Sequence, residues 1–141
     1  AGEADAEGAP RKVGGHREAH YVLKDNIEFL GAAALASSRD PDVVDIATWW
    51  RMIKVPDRQF SIMAHLLHAD GHLVEVGDGI TINQALLKPN DIIVQRHTFS
   101  VEGDSASDNL WLRTGIYWLD TLERWPVDQC PGCDAIFVRI E

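Results

Sequence analysis

The sequence predicts an all-β domain: a sandwich of two antiparallel sheets, immunoglobulin-like or jelly-roll-like, with seven to eight strands. Three observations carry this. From Val44 onward apolar residues alternate with period two, the side-chain period of a strand. Clusters of Gly, Pro, Asp and Asn punctuate those runs with turn chemistry. No long amphipathic helix is legible. The 141 residues suffice for one domain with its own core, and an apolar fraction of 45% is ordinary for a globular chain.

Residues 1–19 are rich in Gly, Ala and Glu without periodicity and read as a disordered leader or linker; the sandwich is expected over 20–141. Tyr21 to Leu23 is a short strand, and Ile27 to Gly31 follows the turn-prone Asp25-Asn26. Ala32 to Leu35 has a helical composition but is too short to nucleate a helix alone. Val44 to Ile53 is a long strand. Its alternation sets Val44, Ile46, Thr48, Trp50 and Met52 on one face, with Asp45, Ala47, Trp49 and Arg51 on the other.

Gln59 to Leu67 is the next strand, with Phe60, Ile62, Ala64 and Leu66 opposed to Ser61, Met63 and His65. His68-Ala69-Asp70-Gly71 is a hairpin turn, since Asp-Gly readily supplies positive φ, and His72 to Val76 returns antiparallel. A polar connection through Gly77-Asp78-Gly79 and Lys88-Pro89-Asn90-Asp91 leads to a strand over Ile92 to Phe99. Leu110 to Leu119 is a long strand whose Gly115 implies a bulge or a close approach. Asp120 to Arg124 turns the chain, and Ala135 to Ile140 is the last strand.

The charge of -9, with thirteen scattered basic residues, argues against nucleic acid, whose binding rests on clustered Lys and Arg. Apolar stretches fall far short of the roughly 20 residues of a membrane-spanning helix, and no signal peptide is visible at the start, so the domain reads as soluble. Cys130-Pro131-Gly132-Cys133 precedes a strand and has no second C-x-x-C partner. A plain turn, reduced or disulfide-closed, is favoured there over a metal or redox site.

Catalytic signatures are missing: neither a G-x-S-x-G elbow nor a phosphate-binding glycine loop occurs. Asp120 and Glu123 read as turn and surface charge rather than as a glycosidase pair. Asp40, Asp42 and Asp45 read as an acidic turn before a strand, without the glycine spacing of a calcium loop. His68 and His72 flank the hairpin and are weak metal candidates, while His65 points to the opposite face; His97 or Asp70 would have to complete such a site. No cofactor is expected.

The five tryptophans are the main functional hint. Trp50 belongs to the core. Trp49, Trp111 and Trp118 are harder to hide, and outward aromatics beside Arg51 and Arg113 would serve as a sugar-stacking platform or as a protein interface. Trp49, Trp111, Arg113 and Trp118 are therefore the candidate ligand-binding residues, although a bulge at Gly115 would reverse the later part of that strand.

Four segments, taken in order, resemble one known family. They are the strand ending in Trp50-Arg51; the hairpin from Phe60 to Asp78; Leu87-Lys88-Pro89-Asn90-Asp91-Ile92-Ile93-Val94; and Leu112 to Tyr117 followed by Glu123-Arg124-Trp125-Pro126-Val127. Together they are similar to the C-terminal extracytoplasmic β-sandwich module of bacterial membrane glycosyltransferases of the dolichyl-phosphate-mannose-dependent mannosyltransferase type, and of related uncharacterised proteins. The likeness spans roughly 26–140. Asn90 stands where that family usually has Gly, Leu87 where it has Trp, and Cys133 where Gly is common.

The resemblance implies a scaffold without agreed catalytic residues. It leads to the expectation of a non-enzymatic accessory or binding domain, extracytoplasmic and attached to glycan-handling membrane machinery. Its partner would be a glycan or another protein. Two other classes stand beside it: an interaction module that dimerises or docks through exposed aromatics, and a small metal-dependent enzyme.

Overall fold

A computed structural model of the chain describes residues 21–35, 43–100 and 110–140. The expected leader, 1–19, lies outside the described residues, as do Asp40 and Asp42. Among the described residues there are eight strands: β1 (Tyr21–Leu23), β2 (Ile27–Leu35), β3 (Val43–Met52), β4 (Phe60–His68), β5 (Leu73–Val76), β6 (Ile92–Ser100), β7 (Leu110–Trp118) and β8 (Ile136–Ile140). They form two four-stranded antiparallel sheets, ordered β1-β2-β3-β6 and β5-β4-β7-β8.

The chain changes sheet between β3 and β4, between β5 and β6, and between β6 and β7. That is the immunoglobulin-like order, with β2-β3-β6 in the places of A-B-E, β4-β7-β8 in those of C-F-G, and β5 extending the second sheet. The inner faces meet in one core containing Phe29, Ile46, Trp50 and Phe99 from the first sheet and Phe60, Ile62, Leu66, Leu112 and Val138 from the second. Trp50 packs on Phe29 with centroids 4.9 Å apart. Trp125, on the connection after β7, closes one end against Phe60 and Trp118 at 5.4 and 4.8 Å.

The alternation on β3, β4 and β6 sorts side chains as the sequence predicts; β6 alternates exposed and buried without exception. One expectation changes, and one choice between alternatives is decided. Ala32 to Leu35 is strand, continuing β2 across a register shift between Phe29 and Gly31. A short apolar run beside a long partner strand is captured by the ladder, because pairing with β3 outweighs the helical preference of alanine. Gly115 carries no bulge, since β7 runs in unbroken register against both β4 and β8. Gly115 instead provides a close approach: a Cβ there would meet the Asp134 carbonyl oxygen and Met63 Cε at 3.3 Å.

The outer faces differ. On the first sheet, Asp45 is buried beneath Arg96, which pairs with it, and accepts a 2.6 Å hydrogen bond from Thr98 Oγ1. Both bonds hold the Asp45 carboxyl below its usual pKa. On the second sheet Met63, Leu67, Trp111, Ala135 and Phe137 form a smaller apolar cluster, flanked by Tyr117.

Candidate functional site

Unbroken β7 register separates the four expected ligand-binding residues. Trp118 keeps the parity of Leu110, Leu112 and Ile116 and joins the core between the sheets, with the Arg58 guanidinium 4.5 Å from its ring. It is a core residue, and the expectation of an outward ring is corrected. Trp111 does face outward from its sheet, but it is buried among Met63, Leu67 and Phe137 and offers no stacking surface. Trp49 is half-buried on the opposite side of the sandwich, next to Val94 in register. Its neighbour Arg51 is engaged by Glu28 and Asn90, each at 2.9 Å.

Only Arg113 leads to a site. The outer row of β4 (Ser61, Met63, His65) pairs with that of β7 (Tyr117, Gly115, Arg113), so Arg113 sits directly opposite His65. Its Nε and Nη2 lie 3.1 and 2.8 Å from His65 Nδ1. A guanidinium only donates, so Nδ1 must carry its lone pair, and the ring proton resides on Nε2. Nε2 faces Asp78 Oδ1 at 3.4 Å. Asp78 comes from the connection after β5 and is anchored by the Ala64 amide, which donates to Oδ1 at 2.7 Å. Tyr117 adds its phenol, near Ser61 and Asp78.

His65, Asp78 and Tyr117 line a cleft of about 320 Å³ together with Met63, Leu122 and Arg124; Arg113, bonded to His65, is not among its lining residues. The volume is at the small end of the range for ligand sites. Met63 is apolar and buried; Leu122, in the turn after β7, is exposed at 67%. Arg124 is bridged to Tyr117 by backbone pairing, and among the described residues its guanidinium reaches Asp134 alone, at 3.5 Å.

Electrostatics here are balanced. Burial by itself would raise the Asp78 carboxyl, but hydrogen bonds from His65 and the Ala64 amide hold it below its ordinary value. Burial, opposed by the Ser61 bond and reinforced by the Asp78 charge, raises the Tyr117 phenol. Burial and then the charge of Arg124 lower Arg113, which stays cationic. The arrangement presents an anchored acceptor, a phenol and a loosely held guanidinium around an apolar floor. It suits binding through hydrogen bonds.

The hairpin histidines do not converge. His72 Nδ1 and amide both bond Asp70, at 2.9 Å each, and His97 lies in the core, joined to Thr48 and to the Gly77 carbonyl. Among the described residues no three His, Cys, Asp or Glu side chains are grouped as metal ligands. Asp120 is held by Arg58 at 2.7 Å. Cys130 and Cys133 form a disulfide in the turn before β8.

Sequence reasoning placed His65 on the correct face but missed Asp78, Tyr117, Leu122 and Arg124. The outward parities of β4 and β7 were both legible; that β4 pairs with β7 across 48 residues was not.

Fold and cleft define an immunoglobulin-like β-sandwich with a ligand-sized cleft on the outer face of one sheet. No protein-family model matches the chain, and no curated protein or solved structure is significantly similar to it. Among the described residues no helix is long and apolar enough to cross a membrane.

Proposed function

We propose that this chain is a non-catalytic binding domain that recognises a small hydroxylated ligand, a glycan unit, in the cleft on the outer face of β4 and β7. The observation that supports it is the convergence of Asp78, His65, Tyr117 and Arg124 over Met63 in one cleft of about 320 Å³. Fixed acceptors and donors over an apolar floor can exchange their partners for ligand hydroxyls at little entropic cost. The sequence resemblance supports placement beside glycan-handling membrane machinery. The Cys130–Cys133 disulfide supports an extracytoplasmic, oxidising location.

The test is saturation-transfer NMR with a panel of methyl glycosides, comparing the native chain with Arg124→Ala. Binding to the native chain, weakened about tenfold in the variant, is the expected result, corresponding to one lost hydrogen-bonding group. A panel in which no glycoside receives saturation from the native chain refutes the reading.

A second reading, docking of a partner protein or a second copy, is favoured by the other sheet. There Ile92 and Val94 are exposed at 49% and 55% beside Trp49. Light scattering separates the two: docking of a second copy predicts a doubled mass that Val94→Glu restores to the monomer value.

A further inference from the structure

We infer that the ligand of this cleft is an uncharged sugar ring seated by its C–H face on Leu122, with its hydroxyls shared between Asp78 and Arg124; this rests on the binding function proposed above. The backbone of Leu122 has φ of +63°, the left-handed region that favours glycine and penalises a branched, bulky side chain. Such residues persist where function requires them. Packing does not account for leucine here, because two-thirds of its surface is exposed. The turn needs only its backbone, whose amide donates to the Trp118 carbonyl at 2.7 Å. What the side chain does is line the cleft, as Met63 does. A strained, exposed apolar lip on an otherwise polar cleft fits a ligand with one apolar face.

The charges decide the rest. Arg113 and Arg124 are matched by Asp78 and Asp134, and His65 is neutral in the tautomer that Arg113 imposes. An anionic ligand would confront Asp78, already anchored in place, and a cationic one would confront Arg124. A ring of hydroxyls can donate a hydrogen bond to Asp78 and accept one from Arg124, whose 3.5 Å contact with Asp134 is an exposed pair of little worth.

The experiment is calorimetric titration with methyl glycosides of glucose, galactose, mannose and N-acetylglucosamine, and with glucuronate, on the native chain and Leu122→Gly. A neutral glycoside should bind with an affinity that is unchanged between about 50 and 300 mM salt, where screening would weaken a charged ligand. Leu122→Gly should weaken it about tenfold while raising the melting temperature by roughly 3 °C through relief of the left-handed strain. Glucuronate binding more tightly, in a salt-dependent manner, overturns the inference. A lower melting temperature in Leu122→Gly, which would make Leu122 a packing residue, does so too. Should a glycoside bind equally well to Leu122→Gly, this inference falls and the binding function stands; should no glycoside bind the native chain, both fall.

Discussion

His97 illustrates how one side chain can couple the two sheets. Thr48 Oγ1 accepts from Trp50 Nε1 at 2.9 Å, leaving its own hydroxyl proton for His97 Nε2 at 3.1 Å. The opposite nitrogen, Nδ1, donates to the Gly77 carbonyl at 2.8 Å. Every polar atom of this buried chain is satisfied only while the ring is neutral. Burial holds the imidazole below its ordinary pKa, against the Gly77 bond and the Asp78 charge. Unfolding frees the ring to take a proton, so its contribution to stability is complete above about pH 6.5 and is lost progressively as pH falls. His72, raised by Asp70, acts in the opposite sense but is exposed. We expect thermal denaturation to show stability falling below pH 6.5. His97→Gln, whose amide can keep both bonds, should flatten that dependence, and His72→Gln should leave it.

Among the elements, the turn between β7 and β8 carries the most local definition. The Val127 amide donates to the Cys133 carbonyl, the Cys133 amide to that of Cys130, and Val127 bridges to Leu23 of β1. The disulfide therefore closes a loop that ties one sheet's edge to the other. Because only three positions separate the cysteines, closing this four-residue loop restricts the unfolded chain little, and chain entropy assigns it about 2 kcal/mol. Urea denaturation with and without reductant should differ by that amount, and Cys130→Ser/Cys133→Ala should reproduce the reduced curve and abolish the difference. A much larger loss would mean that the fold depends on the bond rather than on its core. β7 teaches the converse. Its single glycine left a bulge or a close approach open; the position serves closeness to the segment just before β8, and the intact register against β4 is what sends Trp118 inward.

At the scale of the molecule, the two sheets are joined beside the cleft by one glycine. Gly77 donates to Ala64 of the second sheet and accepts from His97 of the first, and a Cβ there would lie 2.9 Å from the buried ring of Phe99. Gly77→Ala must push Phe99 out of a filled core and should cost about 1–3 kcal/mol in chemical denaturation. It should also weaken ligand capture, because Asp78 is the next residue. Unchanged stability would show that the sheets can part at this edge.

Period two along β3, β4, β6 and β7, and the turn chemistry between them, was enough to establish the two-sheet architecture and the placement of Trp50, Phe60 and Ile62 in its core. Those are local properties, set by which way successive side chains point. The cleft was beyond such reading. His65 and Arg113 meet only because β4 pairs with β7, and Asp78 and Arg124 arrive from connections on either side of that pair. Likewise Trp111 looks exposed by parity, yet Met63, Leu67 and Phe137 bury it on the sheet's outer face. Alternation fixes a side chain's direction; what it meets there depends on strands remote in sequence, and only their packing decides it.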